Sequence, residues 1–166
     1  SVYTLANTPA QPAVGTSTVS SLTVTLGSDS NSTSTEYAIY NATAGTYLNS
    51  AGAVTSTAVY QTSSAWGSVV STDLTGNTVY QYKVIARNGD LVTTTFSASS
   101  TAIYTLASAP SSVSGSVSAS QVTLSWSGNG TNYYATRSDN GAASGWISST
   151  SHVFSGLSCG TAYTFT

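Results

Sequence analysis

The chain has 166 residues, 40% of them hydrophobic and only 5% charged, where an ordinary soluble domain is roughly one quarter charged. Its three bases, Lys83, Arg87 and Arg137, are too few and too scattered to form a phosphate-binding face, which argues against nucleic acid and anionic membrane as partners. No apolar run approaches the ~20 residues of a membrane span, and the length suits one or two small cores that need neither metal nor disulfide.

The predicted elements are short strands. The first is residues 1–6, where Tyr3 and Leu5 form the more apolar face and Val2 and Thr4 the other. Residues 22–26, Leu-Thr-Val-Thr-Leu, alternate with period two, and further strands are expected at 36–40 and 54–60. Leu74 then opens a run through Asn88 with apolar residues at every second position from Tyr80 to Ala86. Residues 100–106, 122–126 and 133–137 complete the set, separated by Gly, Asn and Ser clusters, and no segment carries a helical period. Ser and Thr take the polar positions that Lys and Glu usually fill, and they favour strands and turns. Many short strands with frequent turns predict an all-β sandwich.

The sequence repeats itself. Val2-Tyr3-Thr4-Leu5-Ala6 followed by Pro9 returns as Ile103-Tyr104-Thr105-Leu106-Ala107 followed by Pro110. Leu22-Thr23-Val24-Thr25-Leu26 is answered by Val122-Thr123-Leu124-Ser125-Trp126, and Leu74, Thr78 and Tyr80 by Leu157, Thr161 and Tyr163 at a shorter offset. The second module is therefore trimmed in its middle.

The stretch from Leu74 to Asn88 has the form L-x5-Y-x-Y-x-V-x-A-x-N and resembles the E–F corner and F strand of fibronectin type III domains, including those of extracellular, prokaryotic surface or filament proteins. The resemblance implies that the Tyr80 hydroxyl anchors the corner, and that Trp126 is the core tryptophan of the B strand, with Leu26 in its place in the first module. It implies two fibronectin type III or Ig-like sandwiches in tandem, spanning 7–107 and 108–166. Residues 42–71 depart from the usual spacing. Asn88-Gly89-Asp90 reads as the F–G hairpin, with the positive φ angles of a type I′ turn at Asn-Gly.

By the same resemblance residues 100–106 are a G strand, and so are residues 1–6, whereas the second module reaches only its F strand and lacks its own last strand. Two readings stand side by side. The chain is a window of a longer tandem array, or Val2, Tyr3 and Leu5 of one copy plug an acceptor groove at Trp126, Tyr163 and Phe165 of another by strand addition. Either gives a linear series of sandwiches.

The supply of catalytic groups is thin. His152 and Cys159 lack an evident orienting partner, the five carboxylates are dispersed, and neither catalytic residues, nor metal ligands, nor a cofactor site is expected. Cys159 reads as a buried thiol, a bridge to another chain, or the partner of a cysteine elsewhere. Trp66, Tyr133, Tyr134 and Trp146 are candidates for contact with a glycan or protein, and Tyr133 and Tyr134 must face opposite sides of their strand. Asn31, Asn41 and Asn129 fit the N-glycosylation pattern. The expected function is a non-enzymatic structural repeat of an extracellular or cell-surface filament, stalk or layer, its partners being copies of itself or adjacent repeats. The alternative is an adhesin or glycan-binding module.

Overall fold

The computed structural model describes residues 2–27 and 29–166, so Ser1, at the head of the first predicted strand, lies outside them. The chain divides into two compact units, Ser1–Leu106 and Ala107–Thr166.

The first unit contains β1 (Ala13–Ser17), β2 (Leu22–Thr25), β3 (Glu36–Asn41), β4 (Thr46–Leu48), β5 (Val54–Thr55), β6 (Gln61–Thr62), α1 (Ser63–Trp66), β7 (Ser68–Ser71), β8 (Val79–Tyr80), β9 (Tyr82–Arg87) and β10 (Ile103–Tyr104). One sheet has the order β1-β2-β7, all antiparallel. The other is centred on β3, which pairs with β9 along one edge and with β4 and β6 along the other. Flanked on both edges, β3 buries Tyr37, Ala38, Ile39 and Asn41. The period-two pattern decides the rest: Leu22 and Val24 from one sheet meet Tyr37, Ile39, Tyr82 and Val84 from the other, and Tyr80, Tyr82, Val84 and Ala86 all point into this core.

Residues 42–71 hold β4 to β7, and the strand expected at 54–60 survives only as Val54–Thr55. The single helical turn α1, which has no length over which to show a period, is capped at Thr62, whose hydroxyl accepts from the Ala65 N–H. It tucks Trp66 inward, where the indole N–H donates to the Tyr37 carbonyl at 2.7 Å.

The F–G turn differs from the type I′ expectation. Asn88 N–H bonds the Val92 carbonyl, Leu91 N–H bonds the Asn88 carbonyl, and the positive φ, 63°, falls on Leu91. This is a three-residue hairpin loop, held by the Asn88 side-chain carbonyl, which accepts from the Asp90 and Val92 amides. Gly89 serves close approach instead of φ: a Cβ there would lie 2.5 Å from the Tyr3 ring.

Residues 94–100 pair with β9 in an unusual way. Thr94, Ser97 and Ser100 donate their N–H groups to the carbonyls of Ala86, Val84 and Tyr82. Their hydroxyls accept from the N–H groups of the same three residues, at 3.0 to 3.1 Å. A step of three residues against two thus satisfies the F strand, with hydroxyl oxygens standing in for carbonyls.

The second unit contains β11 (Ser111–Val117), β12 (Gln121–Ser127), β13 (Tyr133–Thr136), β14 (Ala143–Ile147) and β15 (Ser151–Ser155). β12 pairs with β11 and β15, and β13 with β14. Its core is Leu124, Trp126, Tyr133, Ala135 and Phe154, with Ile147 and Phe165 against it. An isolated bridge joins Arg137 to Phe165, where the first unit has the long β3–β9 pairing.

Candidate functional site

The two units reproduce one corner bond for bond. In the first, Thr75 N–H donates to the Tyr80 hydroxyl at 2.9 Å, the anchor that the resemblance implies; in the second, Ser158 N–H donates to the Tyr163 hydroxyl at 3.0 Å. Leu74 N–H bonds the Ser20 carbonyl and Leu157 N–H the Ser120 carbonyl, each at 3.0 Å. The turn before the B strand closes through Thr18 N–H to the Ser21 carbonyl in one unit and Ser118 N–H to the Gln121 carbonyl in the other.

In the first unit this corner holds residues 103–106. Ile103 and Tyr104 pair with Tyr80 and Val79. Ile103 packs half-buried against the core, Tyr104 is 62% exposed, Thr105 is 2% exposed and Leu106 is 54% exposed. The Thr105 amide and hydroxyl are both bonded: its N–H reaches the Thr78 carbonyl, its hydroxyl donates to the Thr75 carbonyl at 2.7 Å, and the Thr78 N–H donates back to that hydroxyl at 3.0 Å. Leu106 N–H then bonds the Thr18 carbonyl.

In the second unit the same corner borders an open apolar cleft of about 450 Å³, lined by Val113, Val117, Val122, Leu124, Tyr163 and Phe165 among others. Val113 is 58% and Val117 80% exposed, where the first unit has Ala13 and Ser17. A smaller cleft continues past Ser118, Leu157, Ser158 and Thr161. The expected acceptor residues fall in two places: Tyr163 lines this slot, Trp126 lines a second cleft of about 470 Å³ beside β13, and Phe165 lines both. In the first unit Val84 and Ala86 of β9 lie along the corresponding edge of β3. The buried indole N–H of Trp126 has no hydrogen-bond partner.

The segment 2–6 lies outside the strands and along its own F–G turn. Tyr3 N–H donates to an Asp90 carboxylate oxygen at 2.9 Å, Asn88 Nδ2 donates to the Thr4 carbonyl at 3.0 Å, and Val2 and Leu5 are 95% and 73% exposed.

The aromatic candidates separate cleanly. Tyr133 is buried against Trp126, while Tyr134 faces out and meets the 74%-exposed Trp146 in a tilted contact, 5.4 Å between centroids. Trp66 is withdrawn as a ligand residue, because α1 turns it into the core. Asn41 is withdrawn as a glycan acceptor: it is fully buried, and its side-chain carbonyl caps the turn by accepting from the Thr43 and Ala44 amides. Asn31 uses its side chain to bond both the N–H and the carbonyl of Asn7, a pairing that a glycan on Nδ2 would break. Asn129 is exposed and accepts from the Ser108 amide.

Cys159 is exposed rather than buried; its thiol donates to the Ala119 carbonyl. His152 meets the Phe154 ring edge-on. Among the described residues no three of His, Cys, Asp and Glu gather as a metal site, and no helix is long and apolar enough to cross a membrane. Sequence reading missed a row of rings on the outer face of the first unit, where Tyr40 meets Tyr47 at 5.0 Å and Phe96 at 5.1 Å. Positions so far apart in sequence meet only through strand pairing.

No protein-family model matches the chain, and no curated protein matches it. Among solved structures, a segment of two fibronectin type III domains from chicken tenascin matches 95% of this chain and 87% of its own length, at 15% identity and a TM-score of 0.52. The FN1–FN3 domains of chicken CNTN1 match 97% of this chain and 58% of their own length, at 21% identity and a TM-score of 0.43. With the tenascin segment aligned over nearly the whole chain, the fold is all-β and consists of two fibronectin type III-like sandwiches in tandem.

Proposed function

We propose that the chain is a non-enzymatic structural repeat of an extracellular or cell-surface assembly, in which sandwiches follow one another head to tail through β-strand pairing. The observation that carries this reading is the repeated corner. One copy of it is filled by residues 103–106, the other borders an apolar slot, and the filling sequence occurs again at residues 2–6. Open strand edges beside exposed valines are positions that proteins cover. A contact between different surfaces of successive copies extends without closing. The low charge and the wealth of Ser and Thr suit a surface outside the cell.

Electron micrographs and sedimentation of the intact chain, beside a chain lacking residues 1–6, test this. Uniform fibres from the intact chain and unassembled subunits from the shortened one are expected. Monodisperse particles from both would overturn it.

A second reading rests on the outward pair Tyr134–Trp146, two exposed rings inclined to each other by 58°, whose apolar faces and polar edges suit contact with a sugar ring or a protein side chain. Its mark is saturable glycan or protein binding that is lost in Trp146→Ala while assembly persists.

A further inference from the structure

Resting on the strand-pairing reading above, we infer the register of the contact: a second copy of this chain inserts residues 2–5 with Val2 and Thr4 inward, Thr4 acting as a buried hydroxyl lock, and Tyr3 and Leu5 outward. This reverses the faces expected from apolarity alone. The argument is one of repeated hydrogen bonds. Val2-Tyr3-Thr4-Leu5 repeats Ile103-Tyr104-Thr105-Leu106, and in the first unit it is Ile103 and Thr105 that turn inward.

The receiving frame is likewise repeated. Ser158 and Thr161 stand where Thr75 and Thr78 hold the Thr105 hydroxyl, and the Thr161 hydroxyl donates to the Cys159 carbonyl as Thr78 does to Gly76. The Ser118 carbonyl stands where Thr18 receives the Leu106 amide. Val2 then pairs with Tyr163 and Tyr3 with Ala162, as Ile103 pairs with Tyr80 and Tyr104 with Val79. One partner differs: Ser17 donates to the Tyr104 carbonyl at 2.8 Å, and Val117 in its place offers only apolar surface, which suits the branched side chain of Val2. The inserting segment leaves its seat on the F–G turn, releasing the Tyr3–Asp90 and Asn88–Thr4 bonds.

Register is what distinguishes this inference, because a slip of one residue sends every side chain to the other face. In the first unit the Tyr104–Val79 pair lies beside the hydrogen-bonded Thr105–Thr78 pair, so the counterpart positions 3 and 162 are a close, non-hydrogen-bonded pair that suits a disulfide. The test is the full chain carrying Tyr3→Cys and Ala162→Cys in a Cys159→Ser background, oxidised under assembly conditions and separated without reductant. The expected result is a ladder of dimers, trimers and longer species that reductant collapses. The shifted pair Thr4→Cys with Ala162→Cys should give none, and each single-cysteine chain should give dimers at most. Thr4→Val should weaken assembly roughly tenfold, the size expected for stranding buried polar groups, and Thr4→Ser should recover most of it.

A ladder from the shifted pair, or linkage only within one chain, would overturn the inference. Fibres of wild-type chain without any ladder from the 3/162 pair would overturn the register and leave the strand-pairing reading standing. Absence of assembly by the wild-type chain in sedimentation would remove both.

Discussion

Tyr37 and Tyr82 are the residues whose chemistry the fold changes most clearly. Burial pushes both hydroxyls up from 10.0 to about 12, and the Asp29 carboxylate, which accepts the Tyr37 proton at 3.0 Å, adds to the effect there. A pKa raised on folding means that the neutral phenol is the form the sandwich favours. Its contribution to stability is complete below the unfolded value of 10.0 and disappears as pH rises through about 12. Tyrosinate absorbance followed beside circular dichroism should therefore show a late ionisation step that coincides with loss of the β signal. In Tyr82→Phe that step should shrink. If tyrosine ionisation is complete while the β signal is intact, the burial argument fails. The sequence placed Tyr82 correctly, because alternation along one strand identifies a face. It could not place Trp66, which a one-turn helix in the stretch of unusual spacing turns inward, or Asn41, which closes β3 between two paired strands and caps the turn that follows.

Among the elements, the edge built from Thr94, Ser97 and Ser100 shows hydroxyls carrying a ladder. Each hydroxyl also donates to the next residue's carbonyl, so both strand partners and the outer edge are partly occupied. Ser97→Ala strands the buried Val84 amide and should cost about 1–3 kcal/mol, read by urea unfolding and by faster hydrogen exchange at Val84. Ser99→Ala, which lies between ladder positions, should stay within about 0.5 kcal/mol. Equal costs at the two positions would mean that the hydroxyl is not the acceptor that matters. The turns divide in a similar way. Gly52, at φ 82°, would place a Cβ 1.8 Å from the Val70 carbonyl oxygen, so Gly52→Ala should destabilise the first unit by more than about 2 kcal/mol, read by urea unfolding. Gly89→Ala needs only that the half-exposed Tyr3 ring move, and thermal unfolding should show it to be tolerated. Period and turn composition revealed β2, β3, β8, β9, β10, β12 and β13, and β5 as the start of the strand expected at 54–60, but not β1, β4, β6, β7, β11, β14 or β15, and residues 2–6 are not a strand. The F–G turn type was misread because Asn-Gly signals positive φ locally, whereas here the positive φ falls on Leu91 and the Tyr3 ring lies against Gly89.

At the scale of the molecule, the two cores are separate and unequal. The first joins residues from both of its sheets around Leu22, Ile39 and Tyr82; the second is built around Trp126 and Phe154 and leaves Val113 and Val117 in solvent. Calorimetry should resolve two transitions with the second unit melting first, and assembly should raise that lower transition, since binding to the folded form alone stabilises it. A single transition with no response to assembly would contradict the independence of the cores.

Period-two strands, frequent turns and a recurring strand motif are legible in the residues themselves, because alternation along a strand and the composition of a turn are local. The tandem pair of sandwiches and the Tyr80 corner anchor come from the resemblance of Leu74 to Asn88 to fibronectin type III domains. Which face of the recurring motif points inward was decided only by the tertiary structure. Apolarity favours Tyr3 and Leu5, yet in the filled corner the inward positions belong to Ile103 and Thr105, because the Thr105 hydroxyl bonds the Thr75 carbonyl and the Thr78 amide while Ile103 packs against the core.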